Sequence, residues 1–241
     1  MSSAIVILGA TGGIGSALAR RLQGQDLVVA GRDQDRLRSL ADELGAVPAT
    51  IDADDPSTIS AAVEAAESAF GGVGGVVNCV GSILLKPGHV TSDDEFAATL
   101  QANLWTAFAA VRAGARSMLR TGGSIVLVST GAVRTGLPNH EAIAAAKGGV
   151  EGLTRSAAAT YAPRGIRVNA VAPGLVRTPL TERLTSSEAS EQASLAMHAL
   201  GRLGEPDDVA SAIAWLLDPA NDWVTGQVVG VDGGLGSIRP R

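Results

Sequence analysis

The chain carries a single cysteine, Cys79, so it forms no internal disulfide, and its three scattered histidines offer no ligand cluster for zinc. A reducing, cytoplasmic setting is expected. Aromatic residues make up only 3% of the chain, with Tyr161 the one tyrosine. Lysine is nearly as scarce: Lys86 and Lys147 stand beside 17 arginines, so positive charge here is generally supplied as Arg. No apolar run reaches the ~18 residues of a membrane span. Met1-Ser-Ser leads directly into Ala4–Leu8 without the basic region and long apolar run of a signal peptide, and a soluble protein is expected. With a net charge of −5 the chain lacks the Lys and Arg clusters that phosphate backbones attract. Nucleic acid and membrane surfaces are therefore excluded as expected partners, leaving a small molecule or a protein.

What the chain does have is apolar residues, 46% of 241, enough for a substantial core in one domain covering 1–241. Short apolar runs at Ala4–Leu8, Leu27–Ala30, Val47–Ile51, Gly75–Cys79, Ser124–Val128, Ile166–Ala172 and Val228–Val231 read as strands buried on both faces. Amphipathic stretches lie between them. In the clearest, Phe96, Leu100, Leu104, Ala107, Val111, Ala115 and Met118 share one helical face, with Asp93 and Asp94 favouring its N-terminus. About seven strands with right-handed helical crossovers predict an α/β fold, a doubly wound parallel sheet flanked by helices. Thr181 to Gly201 breaks the rhythm with Ser, Glu and Ala and scattered Leu184, Leu195, Met197 and Leu200. This segment, around 181–203, is a candidate lid, and its Leu and Met suggest a partly apolar substrate.

After the first strand comes Gly9-Ala-Thr11-Gly-Gly13-Ile14-Gly15, a turn that puts bare backbone N–H groups beside a pyrophosphate at a helix start. The second strand ends in Gly31-Arg32 and the third in Asp52-Ala53, placed for the two ends of an adenosine. In dinucleotide folds an acid at the end of the second strand bonds the ribose 2′-hydroxyl, whereas an arginine accommodates a 2′-phosphate. Gly31 occupies the acid's place, and Arg32 points to NADP(H) rather than NAD(H), since a guanidinium grips phosphate bidentately. The competing reading is a solvated arginine opening the next helix with Asp33.

The order of motifs resembles the short-chain dehydrogenase/reductase family over nearly the whole chain. The similar stretches are Gly9 to Gly15, Asp52-Ala53, Asn78-Cys-Val-Gly81, Asn103, Ser129-Thr130, Lys147, Asn169-Ala-Val-Ala-Pro173-Gly174, Thr178, Gly201-Arg-Leu-Gly-Glu-Pro206 and Val231-Asp-Gly-Gly234. The resemblance implies a Rossmann fold and a catalytic Asn, Ser, Tyr and Lys. The tyrosine donates a proton to the carbonyl, the lysine binds the nicotinamide ribose, the serine orients the carbonyl and the asparagine holds a water chain. Carried over, Asn103 and Lys147 match, Thr130 falls at the serine, and Ile143 falls at the tyrosine, four residues before Lys147. A threonine hydroxyl still donates and accepts, and Ser129 could stand in after a slight loop shift. Ile143 exchanges no proton. Tyr161 lies 14 residues beyond Lys147, about 21 Å along a helix, too far to replace it.

Two replacements are open. His140 precedes Ile143 in Pro138-Asn-His-Glu-Ala, where a helix is expected to begin with Asn139 or a neighbour as cap, and free imidazole titrates near ~6.5. A water bonded to Lys147 or Thr130 is the other. The resemblance further implies that Asn78 and Gly81 form the polar turn that lets the cofactor approach. It also implies that Pro173, Gly174, Val176 and Thr178 hold the nicotinamide half, Val176 through its backbone; Thr178 as a mere helix cap is the rival reading. Cys79 is expected to be a buried apolar residue.

Three functions follow as expectations. The first is an NADP(H)-dependent oxidoreductase acting on a small carbonyl or secondary alcohol, with His140 or water as donor. The second is a catalytically impaired nucleotide-binding or assembly subunit pairing with an active relative. The third is non-redox chemistry such as elimination or isomerisation. A homo-oligomer, dimer or tetramer, is implied by the resemblance, with Ala- and Gly-rich faces near Val111–Ala115 and Gly148–Ala159 allowing close helix contacts.

Overall fold

The computed structural model describes residues 3–238. Among them β1 (Ala4–Leu8), β2 (Leu27–Gly31), β3 (Val47–Thr50), β4 (Val73–Asn78), β5 (Gly123–Val128), β6 (Ile166–Pro173) and β7 (Val228–Val231) form one sheet. The spatial order is β3-β2-β1-β4-β5-β6-β7, and every neighbouring pair is parallel. The connections carry α1 (Gly13–Arg21), α2 (Gln34–Leu44), α3 (Pro56–Phe70), α4 (Asp93–Leu100), α5 (Thr106–Met118), α6 (Ala132–Thr135), α7 (Glu141–Tyr161), α8 (Glu182–Thr185), α9 (Glu188–Met197) and α10 (Pro206–Leu217). This is the doubly wound sheet the apolar runs predict, with strand ends within two residues of those expected.

Both faces of the sheet are covered, which is why its central strands read as unbroken apolar runs. Alternate residues of one strand enter opposite cores. Val6, Leu8, Val28, Val76, Ile125 and Val168 pack with α3, α5 and α7 through Ile59, Val63, Val111, Met118 and Val150. Ile5, Ile7, Val29, Val77, Val126 and Val171 pack with α1, α2 and α10 through Leu18, Leu37, Leu40, Val209 and Ile213. Each such buried aliphatic side chain contributes about 1.5–3 kcal/mol.

Local chemistry sets the helix ends. Asp33 caps α2 by accepting from the Arg36 N–H at 3.1 Å, and Gly45 closes that helix in the left-handed conformation at φ 66°. Asp55 and Pro56 open α3 in the same way, and Ser92 and Glu95 form a capping box on α4. The expected helix from Phe96 to Met118 differs from its prediction. Residues Gln101–Trp105 form a π turn between α4 and α5, and the wider turn rotates the face. Phe96 is consequently exposed while Ala107, Val111, Ala115 and Met118 stay buried. The cap of α7 is His140, not Asn139; Asn139 instead takes φ 63° and its carbonyl accepts from the Lys86 N–H at 2.8 Å.

In such a sheet the loops at the carboxyl ends of the strands gather where the strand order reverses, between β1 and β4. The Gly9 turn, Arg32, Asp52, Asn78, Thr130 and Pro173 all stand at those ends.

Candidate active site

The turn after β1 begins at Gly9, whose φ of 75° and close approach to the β4 loop both require glycine. A Cβ there would lie 2.8 Å from the Cys79 carbonyl carbon and the Val80 nitrogen. The turn feeds α1 with Gly12 at the N-cap and no side chain capping it, so the first-turn N–H groups of Gly13, Ile14 and Gly15 are left for a ligand. Thr11 turns its side chain against the end of β2: a Cβ on Gly31 would stand 2.9 Å from Thr11 Oγ1. No acid occupies that strand end. Arg32 is exposed beside it, and Arg36 Nη2 donates to the Thr11 carbonyl at 3.0 Å. Arg36 was not foreseen; the signal available was an arginine one helical turn beyond Arg32.

At the end of β3 the Asp52 carboxylate is exposed and accepts from the Asp54 N–H at 2.9 Å, while Gln101 Nε2 donates to the Ala53 carbonyl at 2.7 Å. Asn78 is buried with both amide ends used internally, donating to Thr106 Oγ1 and accepting from the Val80 N–H. It shapes the β4 turn and does not line the cavity described next.

That cavity, about 440 Å³, collects Ile14, Gly81, Asn103, Thr130, His140, Ile143, Lys147, Pro173, Gly174, Val176 and Thr178 from six loops and helices. Lys147 is buried on α7, and its Nζ donates to the Val128 carbonyl at 2.8 Å. Burial pushes its ammonium down from 10.5 to about 8. Gly81 holds it beside Asn103: a Cβ there would lie 2.9 Å from Asn103 Oδ1 and 3.4 Å from Lys147 Nζ. Asn103 sits in the π turn, accepting from the Ser82 N–H and donating to Ser82 Oγ and the Thr99 carbonyl. Cys79 also lines the cavity, and burial pushes its thiol up to about 12, the behaviour of an inert side chain.

Thr130 and Ser129 diverge. The Thr130 hydroxyl makes only long contacts, to the Pro173 carbonyl at 3.4 Å and from the Ala132 N–H at 3.3 Å, so a ligand can claim it. Ser129 is buried and donates to Glu151 Oε1 at 3.1 Å, turned into α7. Its hydroxyl is committed to Glu151 in this geometry although Ser129 also lines the cavity, so standing in for Thr130 requires the loop to shift. Ile143 is buried one turn before Lys147. His140 Nδ1 lies 2.7 Å from the Pro138 carbonyl; a carbonyl only accepts, so Nδ1 carries the hydrogen and Nε2 remains for the cavity. Tyr161 ends the same helix, far along it, as expected.

On the opposite wall, Thr178 is not a helix cap, since α8 is capped by Thr181. Thr181 Oγ1 instead accepts from the Thr178 N–H and donates to the Val176 carbonyl, so that carbonyl is already engaged. His198, another unforeseen residue, is buried with both ring nitrogens used: Nδ1 donates to the Ser194 carbonyl at 2.7 Å, and Nε2 accepts from the Leu175 N–H at 3.1 Å. It fastens α9 to the turn after β6. Among the described residues no group of His, Cys, Asp and Glu is arranged to hold a metal ion, and no helix is long and apolar enough to cross a membrane.

The family profile described as enoyl-(acyl carrier protein) reductase matches residues 9–236. The chain is 37% identical over 239 residues to 2,3-dihydroxy-2,3-dihydro-p-cumate dehydrogenase of Pseudomonas putida, covering 95% of this chain and 92% of that protein. It is 36% identical over 222 residues to a protein of Xanthobacter autotrophicus described as inactive 2-(S)-hydroxypropyl-CoM dehydrogenase 2, covering 89% and 96%. The crystal structure of a single-substitution variant of actinorhodin polyketide ketoreductase with NADPH superposes with a TM-score of 0.92 at 30% identity, covering 98% of each chain. A parallel sheet with a glycine turn at its switch point, a buried lysine on α7 and a match along nearly the whole chain place this protein in the short-chain dehydrogenase/reductase family of oxidoreductases.

Proposed function

We propose that the chain is an NADP(H)-dependent oxidoreductase acting on a small carbonyl or secondary alcohol. The observation that carries this reading is Lys147. An ammonium buried in an apolar cavity with one carbonyl partner and no carboxylate is costly to keep. A ligand's hydroxyls beside Asn103 and Gly81 give it a purpose.

The residues fit a dinucleotide. Gly13, Ile14 and Gly15 offer uncapped N–H groups to a pyrophosphate, the end of β2 presents glycine and the Thr11 side chain to an adenosine ribose, and Asp52 can accept from an adenine amine. Arg32 and Arg36 flank that strand end with no acid there, which favours a 2′-phosphate over a free hydroxyl. When bound, the nicotinamide supplies or takes the hydride. Lys147 holds its ribose, Pro173, Gly174 and Thr178 form the wall beside the ring, and the loosely held Thr130 hydroxyl orients the substrate oxygen. Ile143 stands where the family's tyrosine belongs and moves no proton. His140 takes that role: with Nδ1 anchored on the Pro138 carbonyl, the charged ring donates through Nε2 into the cavity. A water on Lys147 or Thr130 is the alternative donor. Residues 181–203, with α8 and α9, act as a lid over the substrate within a single domain of 1–241.

A second reading has its own observation. Trp105 and Phe108 are 48% and 43% exposed on adjoining turns, with the Arg112 guanidinium 5.7 Å from the Phe108 ring centre. Such a surface suits a second copy of the chain, or an active relative for which this chain is a nucleotide-binding partner; neither nucleic acid nor membrane is a partner in either reading.

The test of the first reading is consumption of NADPH with neutral ketones. Wild type turns over, and His140→Gln slows it by ~10²–10⁴-fold. An unchanged rate in His140→Gln transfers the donor role to water, and no turnover with any ketone favours the second reading.

A further inference from the structure

The cavity that holds the candidate catalytic residues has a second property: its charge-capable groups are few, and two of the three are already committed. Its lining includes no arginine, aspartate or glutamate among the described residues. Of the three side chains that could face an anion, Lys147 is bound to the Val128 carbonyl, and His198 is bonded through both ring nitrogens. The third, His140, stands with Lys147 on the first two turns of α7, at the reacting end. Apart from neutral polar side chains such as Ser82, Asn103, Thr130 and Thr178, the wall is largely aliphatic, with Ile83 and Leu85 after β4, Leu137 before α7, and Leu180, Leu184 and Met197 from the segment around α8 and α9. The polar groups that segment contributes are the neutral hydroxyls of Thr181, Ser190 and Ser194. Arg177, just before the segment, is paired with Glu191 and Glu205, and Arg183, on α8 beside Leu184, is exposed and does not line the cavity.

We infer that the substrate is an uncharged, compact, largely apolar ketone or secondary alcohol with no carboxylate, phosphate or thioester-linked anionic handle. This rests on the oxidoreductase reading and narrows its substrate class. The physical reason is desolvation. A carboxylate placed among Leu180, Leu184 and Met197 would leave water with no counter-charge and no N–H donor to meet it, a loss that an aliphatic group of the same shape escapes. Of the cavity's 440 Å³, the nicotinamide takes a share, so the remaining space suits a one- or two-ring molecule better than an extended chain.

A matched pair tests this. 4-Isopropylcyclohexanone and 4-oxocyclohexanecarboxylate have the same shape and differ in one charge. Their affinities are measured by calorimetry on the free protein and on protein saturated with NADP⁺, and their kcat/KM by NADPH consumption. The neutral ketone is expected to bind at least about 100-fold more tightly than the carboxylate, with the same ordering in kcat/KM. Leu184→Arg, a half-buried position open to solvent, is expected to improve carboxylate binding at least tenfold. Equal affinities, a preference for the carboxylate, or no binding of the neutral ketone to either form would overturn the inference. Failure of NADP⁺ to bind would instead sink the oxidoreductase reading, while the affinities on the free protein still decide the cavity's preference.

Discussion

Replacing Lys147 by methionine should make the cofactor-free protein more stable. Methionine keeps the unbranched stem that fills the cavity wall and removes the charge. In the folded state burial holds the lysine down at about 8, against 10.5 for the exposed side chain of the unfolded chain. A gap of that size corresponds to about 3 kcal/mol of strain at pH 7. Losing the 2.8 Å bond to the Val128 carbonyl offsets about 1 kcal/mol of the gain. A net stabilisation of about 2 kcal/mol is therefore expected at pH 7. Between pH 8 and 10.5 the unfolded lysine binds more proton than the folded one, so wild-type stability rises relative to the variant as pH rises. The advantage of Lys147→Met should vanish at about pH 10, where the remaining strain equals the lost hydrogen bond, and be reversed at pH 10.5. Urea titrations of both proteins at pH 7, 9 and 10.5, followed by tryptophan fluorescence, measure this. A variant less stable than wild type at pH 7, or a difference that ignores pH, refutes the claim that Lys147 is a strained charge kept for a ligand.

In a His140→Gln background, Ile143→Tyr should restore a proton donor one turn before Lys147 and recover ~10²–10⁴-fold of ketone turnover, read as NADPH consumption; no recovery at saturating cofactor means a remodelled site. Arg32→Ala and Arg36→Ala should each weaken NADPH by ~10–100-fold and leave NADH nearly unchanged, since each removes charge-assisted bonds to a 2′-phosphate alone. Equal losses for both cofactors would mean that the arginines only support the glycine turn. Gly9→Ala meets backbone atoms at 2.8 Å in a left-handed conformation and should cost at least ~2 kcal/mol in chemical denaturation; a neutral effect would show that the β1 and β4 loops are not packed as described.

The sheet was legible because β1 and β2 are covered on both faces and so write themselves as apolar runs, Ala4–Leu8 and Leu27–Gly31. The helix around Asn103 was legible only in its second half. Periodicity assumes one pitch, and the π turn at Gln101–Trp105 changes it, leaving Phe96 outside the predicted face. Within the site, Lys147, Asn103 and Gly81 were found by their order along the chain, and they do meet. Ser129 and Thr130 could not be separated that way, because neighbouring side chains at a strand end point to opposite sides. Arg36 and His198 were missed for a different reason. Their partners, the Thr11 carbonyl and the Leu175 N–H, lie 25 and 23 residues away, contacts that only the folded chain displays.

The most direct test of the account is a titration of the purified protein with NADPH and with NADH, followed by nicotinamide fluorescence, because it needs no substrate. The account predicts binding of both with NADPH at least about tenfold tighter, and loss of that binding in Lys147→Ala. Binding of neither cofactor would contradict the oxidoreductase reading outright, and equal binding of the two would contradict the role given to Arg32 and Arg36.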